Sequence, residues 1–184
     1  DLLKEYGDGL ICLTGCPGSE FVHYLKSDDL DSARGLVQFY IDTFGRESVF
    51  VEIMKHDEVE WYVPLQKKIQ AMAEEFNLPL VGTWDSHYLH KDDNEAHDTL
   101  VAINTGTEVG SSKMSMKAGN YSFINPEEAH EVFKDFPGAA ENTVKVAELV
   151  DIEIDLGNLY FPTFEIADNR SPDDVLKEMT YQGI

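Results

Sequence analysis

Short apolar segments alternate with longer amphipathic segments three times along the first part of the chain. The predicted strands are residues 9–14, 48–54 and 80–83. The predicted helices that follow them cover residues 29–44, 64–76 and 92–104. Parallel strands need long crossover connections, and helices of this length can supply them. The alternation therefore predicts an α/β domain with a parallel sheet and with helices packed outside it.

The charge of the chain is strongly acidic. Its 14 Lys and Arg residues are outnumbered by 35 Asp and Glu residues, which gives a formal net charge of −21. So acidic a surface repels a polyanion, so these residues are not expected to form a nucleic-acid groove by themselves.

The sequence carries no signal-peptide pattern and no apolar run as long as a membrane span. Its two cysteines, Cys12 and Cys16, are too few for a disulfide framework. In extended chain their Cα atoms would lie about 13 Å apart, beyond the roughly 7 Å that a disulfide can span. We expect reduced thiols, a cytoplasmic location and, because the chain starts without Met and ends within a predicted helix, a piece of a larger protein.

Side chains with metal-binding chemistry follow the predicted strands. Asp85 and His87 come directly after the third strand, and residues two apart in extended chain point to the same side. Carboxylate and imidazole are ligands for zinc-type and manganese-type ions. Cys16 follows the first strand and His56 the second. Because the carboxyl ends of parallel strands meet at one edge, these four residues predict a metal site there.

Each of these residues also has an ordinary structural interpretation. Asp85 and His87 could hydrogen bond to the backbone or to each other. Cys16 could be a small residue in a tight turn, and His56 could be a polar cap. Four other histidines fall on predicted helices or helix starts, where a solvated or core role is expected: His23, His90, His97 and His130.

The chain changes character after residue 106. Residues 107–119 predict a loop, 121–124 a short edge strand, 125–136 and 139–150 two helices, 155–171 an extended linker, and Ser171 the start of a last helix.

Two segments resemble motifs of the bacterial DNA polymerase III alpha subunits, the C-family replicative polymerases. Residues 13–20 (LTGCPGSE) resemble the segment that carries a metal-site cysteine in their PHP domain, and residues 82–89 (GTWDSHYL) resemble its last ligand motif. Segments within 95–106, 136–148 and 154–164 resemble the same family in the same order, so the resemblance covers almost the whole chain.

The resemblance implies the second half of a distorted, seven-stranded β/α barrel of the PHP type, followed by helices and a linker toward the polymerase palm. It implies that residues 1–157 are the C-terminal part of the PHP domain, and that residues 158–184 are the linker and the start of the next polymerase region. Cys16, Asp85 and His87 fall on ligand positions of the family. His56 matches no ligand position and is kept only as a residue near the rim. No catalytic residue is assigned.

The resemblance also implies a DNA-directed DNA polymerase of DNA replication, a nucleotidyltransferase. Zinc or manganese would occupy the PHP site and support phosphoester hydrolysis as a 3′–5′ exonuclease, and magnesium would serve a polymerase site elsewhere in the protein. Implied partners are DNA held by other domains, the clamp, the clamp loader and, in some members, a separate exonuclease subunit. No membrane partner is implied.

Two other functions stay open at this stage: a non-catalytic PHP scaffold, and a stand-alone PHP metal-dependent phosphatase. We expect the isolated chain to be catalytically inert, because the family's other metal ligands are absent from it. We also expect it to self-associate through open strand edges at residues 9–14 and 80–83.

Overall fold

The computed structural model describes residues 2–162, 165–166 and 170–183. The chain divides into two compact units, Asp1–Val150 and Asp151–Ile184. The strands of the first unit are β1 (Cys12–Leu13), β2 (Val49–Met54) and β3 (Leu80–Thr83). Its helices are α1 (Leu2–Tyr6), α2 (Glu20–Lys26), α3 (Leu30–Phe44), α4 (Val63–Phe76), α5 (Asn94–Thr105), α6 (Pro126–Val132) and α7 (Asn142–Leu149), with 3₁₀ turns at Arg46–Ser48 and Lys91–Asp93.

The three strands form a parallel sheet in the order β1-β2-β3. Cys12 pairs with Val49, and Val51 pairs with Leu80, so all three strands run the same way. The predicted α/β class and the parallel sheet are therefore confirmed. Closure into a seven-stranded barrel stays a prediction.

The hydrophobic core lies between the central strand and the helices that connect the strands. Val49, Val51 and Ile53 of β2 are fully buried, as are Val37 of α3 and Ile69 of α4. An apolar strand buried on both faces is typical of a parallel sheet covered by crossover helices. This packing fixes the carboxyl end of β2 between those of β1 and β3.

Several predicted boundaries match their helix caps. The Ser19 side chain accepts a hydrogen bond from the Val22 N–H, and Asp29 caps α3 by accepting from the Ser32 N–H. Asn125 and Glu128 form a reciprocal capping box at the start of α6. These caps are readable in sequence because they need only residues within one turn.

Three predictions about local structure are wrong. The first strand covers only Cys12–Leu13 and is shorter than residues 9–14; beyond it, the Thr14 hydroxyl accepts from the Glu52 N–H and the Gly15 N–H donates to the Glu52 carboxylate. Residues 121–124 make only an isolated bridge between Ser122 and Tyr88. Helices α6 and α7 are shorter than residues 125–136 and 139–150, because the segment between them turns to cover the edge of the sheet.

That segment occupies the outer edge of β3. The Gly82 N–H donates to the Ala139 carbonyl at 2.8 Å, and the Asn142 side-chain amide donates to the Leu80 carbonyl at 2.6 Å. The ring of Phe133 packs against Gly82 so closely that a Cβ there would collide with it. The expectation of an open edge at residues 80–83 is therefore wrong.

In the second unit, α8 (Pro172–Gln182) begins at Ser171, whose hydroxyl accepts from the Asp174 N–H. Residues 151–162 form neither helix nor strand. The predicted linker at 155–171 lies partly outside the described residues, which omit 163–164 and 167–169. No helix in the described parts of the chain is long and apolar enough to cross a membrane.

Candidate metal centre

The carboxyl ends of the three strands open onto one pocket of about 320 Å³. Cys16 follows β1, His56 follows β2 and Asp85 follows β3, and all three residues line it. Trp61 and Tyr121 supply much of its apolar wall. The parallel register thus places three of the four predicted donors, which lie far apart in sequence, around one pocket, whereas His87 does not line it.

Asp85 and His87 form a hydrogen-bonded pair at the rim. The His87 Nε2 and Asp85 Oδ1 atoms lie 2.8 Å apart, with about a third of each side chain exposed. The same-side placement predicted from their spacing is therefore present. Each side chain is therefore the hydrogen-bond partner of the other. This is the structural interpretation that the sequence left open beside metal binding.

The loop that follows α5 in the sequence holds the Asp85–His87 pair in place. The backbone N–H of His87 donates to the Tyr121 carbonyl at 2.8 Å, and the Phe123 N–H donates to the Tyr88 carbonyl at 2.8 Å. The indole N–H of Trp84 donates to the Ser122 carbonyl at 2.7 Å. Residues 121–123 therefore fix the backbone on both sides of Asp85 and His87.

His56 lies deeper than the other candidates, with 7% of its surface exposed. Its Nδ1 atom lies 3.0 Å from Glu58 Oε1, and its ring packs against Tyr121. Partial burial of Glu58 favours its neutral form, but hydrogen bonds from His56, from its own backbone and from Tyr121 outweigh this and lower its pKa. Burial and the Glu58 carboxylate raise the pKa of Tyr121 to about 12.

Cys16 sits on the turn between β1 and α2, where its carbonyl accepts from the Ser19 N–H. It is exposed, and both cysteines are free thiols. Burial raises the pKa of the other cysteine, Cys12, to about 11, so Cys12 stays protonated in the core. Of the two, only Cys16 lines the pocket at the strand ends.

The pocket donors suit a divalent metal by their chemical kind. Thiol, imidazole and carboxylate are the ligands of zinc sites, and imidazole and carboxylate also suit manganese. Within the part of the chain that the structure describes, however, no three His, Cys, Asp or Glu residues already stand close enough to hold an ion. Metal binding by these residues therefore stays a prediction.

Four residues that contact the predicted donors or join the strand ends were not predicted from the sequence. His97, expected to be solvated or in the core, packs against His87 with ring centroids 5.2 Å apart. Glu58 and Tyr121 hold His56, and Glu52 joins the strand ends. Glu58 follows His56 by two residues, a spacing that could have suggested the pair. Nothing local marks Tyr121, because the loop that carries it returns from beyond α5.

Comparison with known proteins gives two consistent matches. The PHP domain family matches residues 1–56. DNA polymerase III subunit alpha of Pseudomonas aeruginosa is 30% identical over the whole chain, which covers 16% of that protein. The same subunit of Thermus aquaticus is also 30% identical over the whole chain and 16% of its own length. That of Neisseria meningitidis serogroup A is 33% identical over 98% of the chain and 16% of its own length.

Over its whole length this chain is similar to DNA polymerase III alpha subunits, and its residues 1–56 match the PHP domain family. The resemblance seen in the sequence is thereby confirmed, together with the presence of PHP-domain sequence. The chain spans about 16% of the length of these alpha-subunit relatives. Cys16 and His56 lie within the residues that match the PHP family, whereas Asp85 and His87 lie beyond them.

Proposed function

We propose that this chain is the metal-binding part of a replicative polymerase alpha subunit, a DNA-directed DNA polymerase. The observation that carries the proposal is a pocket at the strand ends that is lined by Cys16, His56 and Asp85. The alpha-subunit match over the whole chain supports the assignment of the parent protein. In this proposal residues 1–157 are the C-terminal part of the PHP domain, and residues 158–184 lead into the polymerase region.

Cys16, Asp85 and His87 would hold zinc or manganese together with ligands from elsewhere in the intact protein. When bound, such ions lower the pKa of a water molecule and stabilise the charge that develops on a phosphoryl group. Tyr121 would keep His87 oriented through its carbonyl, and the apolar pocket wall would limit water around the donors. The reaction proposed for the intact subunit is 3′–5′ exonuclease or phosphoesterase hydrolysis, with magnesium serving the separate polymerase site.

The proposed partners follow from the charge and from the relatives. A net charge of −21 opposes direct binding of DNA, so DNA would be held by other domains. The clamp, the clamp loader and an exonuclease subunit are the proposed protein partners, and the cytoplasm is the proposed location. A stand-alone phosphatase is disfavoured, because the alpha-subunit relatives also align with residues after 150.

A non-catalytic scaffold is the second candidate. The observation that favours it is the Asp85–His87 hydrogen bond, which satisfies both side chains without a metal. In that case the strand-end residues would stabilise the fold alone, and the domain would serve to dock the polymerase or exonuclease.

Metal content of the intact subunit distinguishes these two functions. We expect stoichiometric zinc or manganese by mass spectrometry, and its loss in a variant that combines Cys16→Ala, Asp85→Ala and His87→Ala. A matched variant, His23→Ala with His90→Ala, should keep the metal. If the unaltered subunit contains no metal, the scaffold is the correct function. The isolated chain should show no nuclease activity; activity that Asp85→Ala abolishes would contradict this.

A further inference from the structure

The pocket at the strand ends is lined largely by apolar and aromatic side chains. Its apolar wall includes Met54, Val59, Trp61 and Tyr121. Pockets that bind small molecules have such walls, with a few polar groups that fix the orientation of the ligand. The volume of about 320 Å³ lies at the small end of the range for such pockets, so this one suits a single flat ring better than a whole nucleotide.

Trp61 is the part of this wall that a ligand reaches first. It is 43% exposed, whereas Met54 and Tyr121 are each 8% exposed. It lies on the turn between β2 and α4. A large aromatic ring that is left in solvent at the mouth of a pocket offers a flat surface on which another ring can stack.

A positive charge is held beside that ring. Lys26 is the last residue of α2, and its Nζ atom lies over the Trp61 ring, 3.9 Å from the ring centroid. An ammonium group is attracted to the face of an indole ring, so this contact keeps Lys26 next to the pocket. In a chain with a net charge of −21, Trp61 and Lys26 therefore combine a stacking surface with a cation.

We propose that Trp61 stacks on an unpaired nucleobase at the end of a DNA strand, and that Lys26 contacts the phosphate next to that base. Proteins that hold single strands use the same two elements, aromatic rings for the bases and cations for the backbone. The choice of a nucleobase rests on the proposed function, because the pocket by itself would accept other flat rings. Trp61 and Lys26 are then substrate-binding residues of the proposed hydrolysis.

The acidic charge of the chain agrees with a site for one base only. A net charge of −21 repels a long strand, which other domains of the intact protein would hold. Stacking is tolerant of sequence because every base has a π face, and it does not depend on the net charge of the protein. One terminal base can therefore enter the pocket, which is the part of a strand that a 3′–5′ hydrolysis acts on.

A nuclear magnetic resonance titration with deoxyadenosine tests the inference without any assay of activity. It is done in buffer that contains a metal chelator. The chain has two tryptophans and so gives two indole N–H signals. We expect the Trp61 signal to shift until binding saturates. The Trp84 signal should move little, because the Trp84 N–H donates to the Ser122 carbonyl and Trp84 does not line this pocket. 2-Deoxyribose, which has no base, should shift neither signal.

Variants of Trp61 test the stack itself, with affinity read from the backbone amide signals of residues 54–59. Trp61→Ala should weaken deoxyadenosine binding by about 5- to 150-fold, the range that corresponds to the loss of one base–aromatic stack. Trp61→Phe should weaken it less, because a phenyl ring keeps a stacking face. Tyr6→Ala is the matched control. Tyr6 is an exposed aromatic residue on α1, outside this pocket, and its replacement should leave the affinity unchanged.

Lys26→Met tests the phosphate contact. We expect it to weaken binding of deoxyadenosine monophosphate but not of deoxyadenosine, because only the first ligand carries a charge. Added salt should have the same selective effect. Lys67→Met is the matched control. It removes the same charge at an exposed site on α4, outside this pocket, and should leave both affinities unchanged.

A dinucleotide of deoxyadenosine distinguishes a strand end from a free nucleotide. We expect it to bind at least as tightly as the monophosphate, because it carries a free terminal base and a phosphate beside that base. Weaker binding of the dinucleotide would assign the pocket to a free nucleotide and overturn the proposed contact with DNA.

The outcomes separate this inference from the proposed function. If deoxyadenosine leaves the Trp61 signal in place, or if Trp61→Ala binds it as tightly as the unaltered chain, the inference is wrong, and the metal content of the intact subunit still tests the proposed function. If the chain binds deoxyadenosine but the intact subunit contains no metal, the base site stands and the proposed hydrolysis fails. If Trp61→Ala does not fold by circular dichroism, the Trp61 signal of the unaltered chain decides.

Discussion

A single carboxylate, that of Glu52, joins the ends of all three strands. Its Oε2 accepts from the Gly15 N–H at 3.1 Å, and its Oε1 accepts from the Thr83 hydroxyl at 2.6 Å. Its own backbone N–H donates to the Thr14 hydroxyl at 3.0 Å. Glu52 therefore fixes the spacing of the turns that carry Cys16 and Asp85.

Replacing Glu52 should destabilise the domain. In Glu52→Ala the Gly15 N–H and the Thr83 hydroxyl lose their acceptor, and a partly buried group left unpaired costs about 1–3 kcal/mol. We expect the free energy of unfolding in urea to fall by that amount. Glu47→Ala, at an exposed site in the turn before β2, should change it little. Equal stability of the two variants would show that Glu52 does not join the strands.

The Glu58 pKa predicts a pH dependence of stability. Its folded-state pKa lies below the usual 4.5, so the unfolded chain takes up a proton at a higher pH than the folded chain. The contribution of Glu58 is therefore present above pH 4.5 and is lost as the pH falls through the lower folded-state pKa. In buffer that contains a metal chelator, Glu58→Gln should show a flatter decline of stability as the pH falls below 4.5. Parallel curves would contradict the lowered pKa.

At the scale of the elements, the segment after α6 decides how the sheet ends. A bare edge strand exposes a row of unpaired backbone groups, and proteins commonly cover such edges with a loop. Here Ala139 and Asn142 supply that cover, and Asn142 is 6% exposed. Helices α6 and α7 are short because the residues between them cover the edge of β3 instead of extending either helix.

Asn142→Ala should destabilise the covered edge of β3. The variant leaves the Leu80 carbonyl buried without its side-chain donor, which should lower the free energy of unfolding by about 1–3 kcal/mol. Amide hydrogen exchange along β3 should rise with it. Asn104→Ala, at an exposed position on α5, is the control and should be neutral or slightly stabilising, since Ala favours helix. Unchanged exchange at Gly82 would contradict the covered edge.

At the scale of the whole molecule, self-association stays a prediction, now confined to the β1 side of the sheet. The edge of β3 is covered, whereas β1 is the other outer strand and Leu10 beside it is 48% exposed. A net charge of −21 makes two copies repel each other. Association should therefore strengthen as salt screens that repulsion.

Light scattering over a salt series tests this prediction. We expect the mean mass of the chain to rise with salt and Leu10→Lys to remove the rise, because a lysine at an edge opposes pairing. Leu149→Lys, at an equally exposed leucine on α7, is the control and should behave like the unaltered chain. A monodisperse monomer at every salt concentration would show that the edge does not pair.

The sequence by itself determined the features that depend on near neighbours. The alternation of apolar and amphipathic segments predicted the parallel α/β sheet, and Ser19, Asp29 and Asn125 marked helix starts that the structure confirms. The spacing of Asp85 and His87 placed them on the same side, and the strand ends placed Cys16 and His56 on the same rim. These predictions succeed because helix capping and strand alternation depend on residues only a few positions apart in the sequence.

The tertiary structure alone decided which distant groups hold that rim together. Tyr121 reaches His87 and His56 from a loop beyond α5, Asn142 reaches Leu80 across 62 residues, and His97 packs on His87 although its helix periodicity gave no such indication. These contacts depend on how loops return to the sheet. One such return packs Phe133 against Gly82, and another pairs backbone groups of residues 87–88 with those of residues 121–123, because buried backbone groups must find a partner.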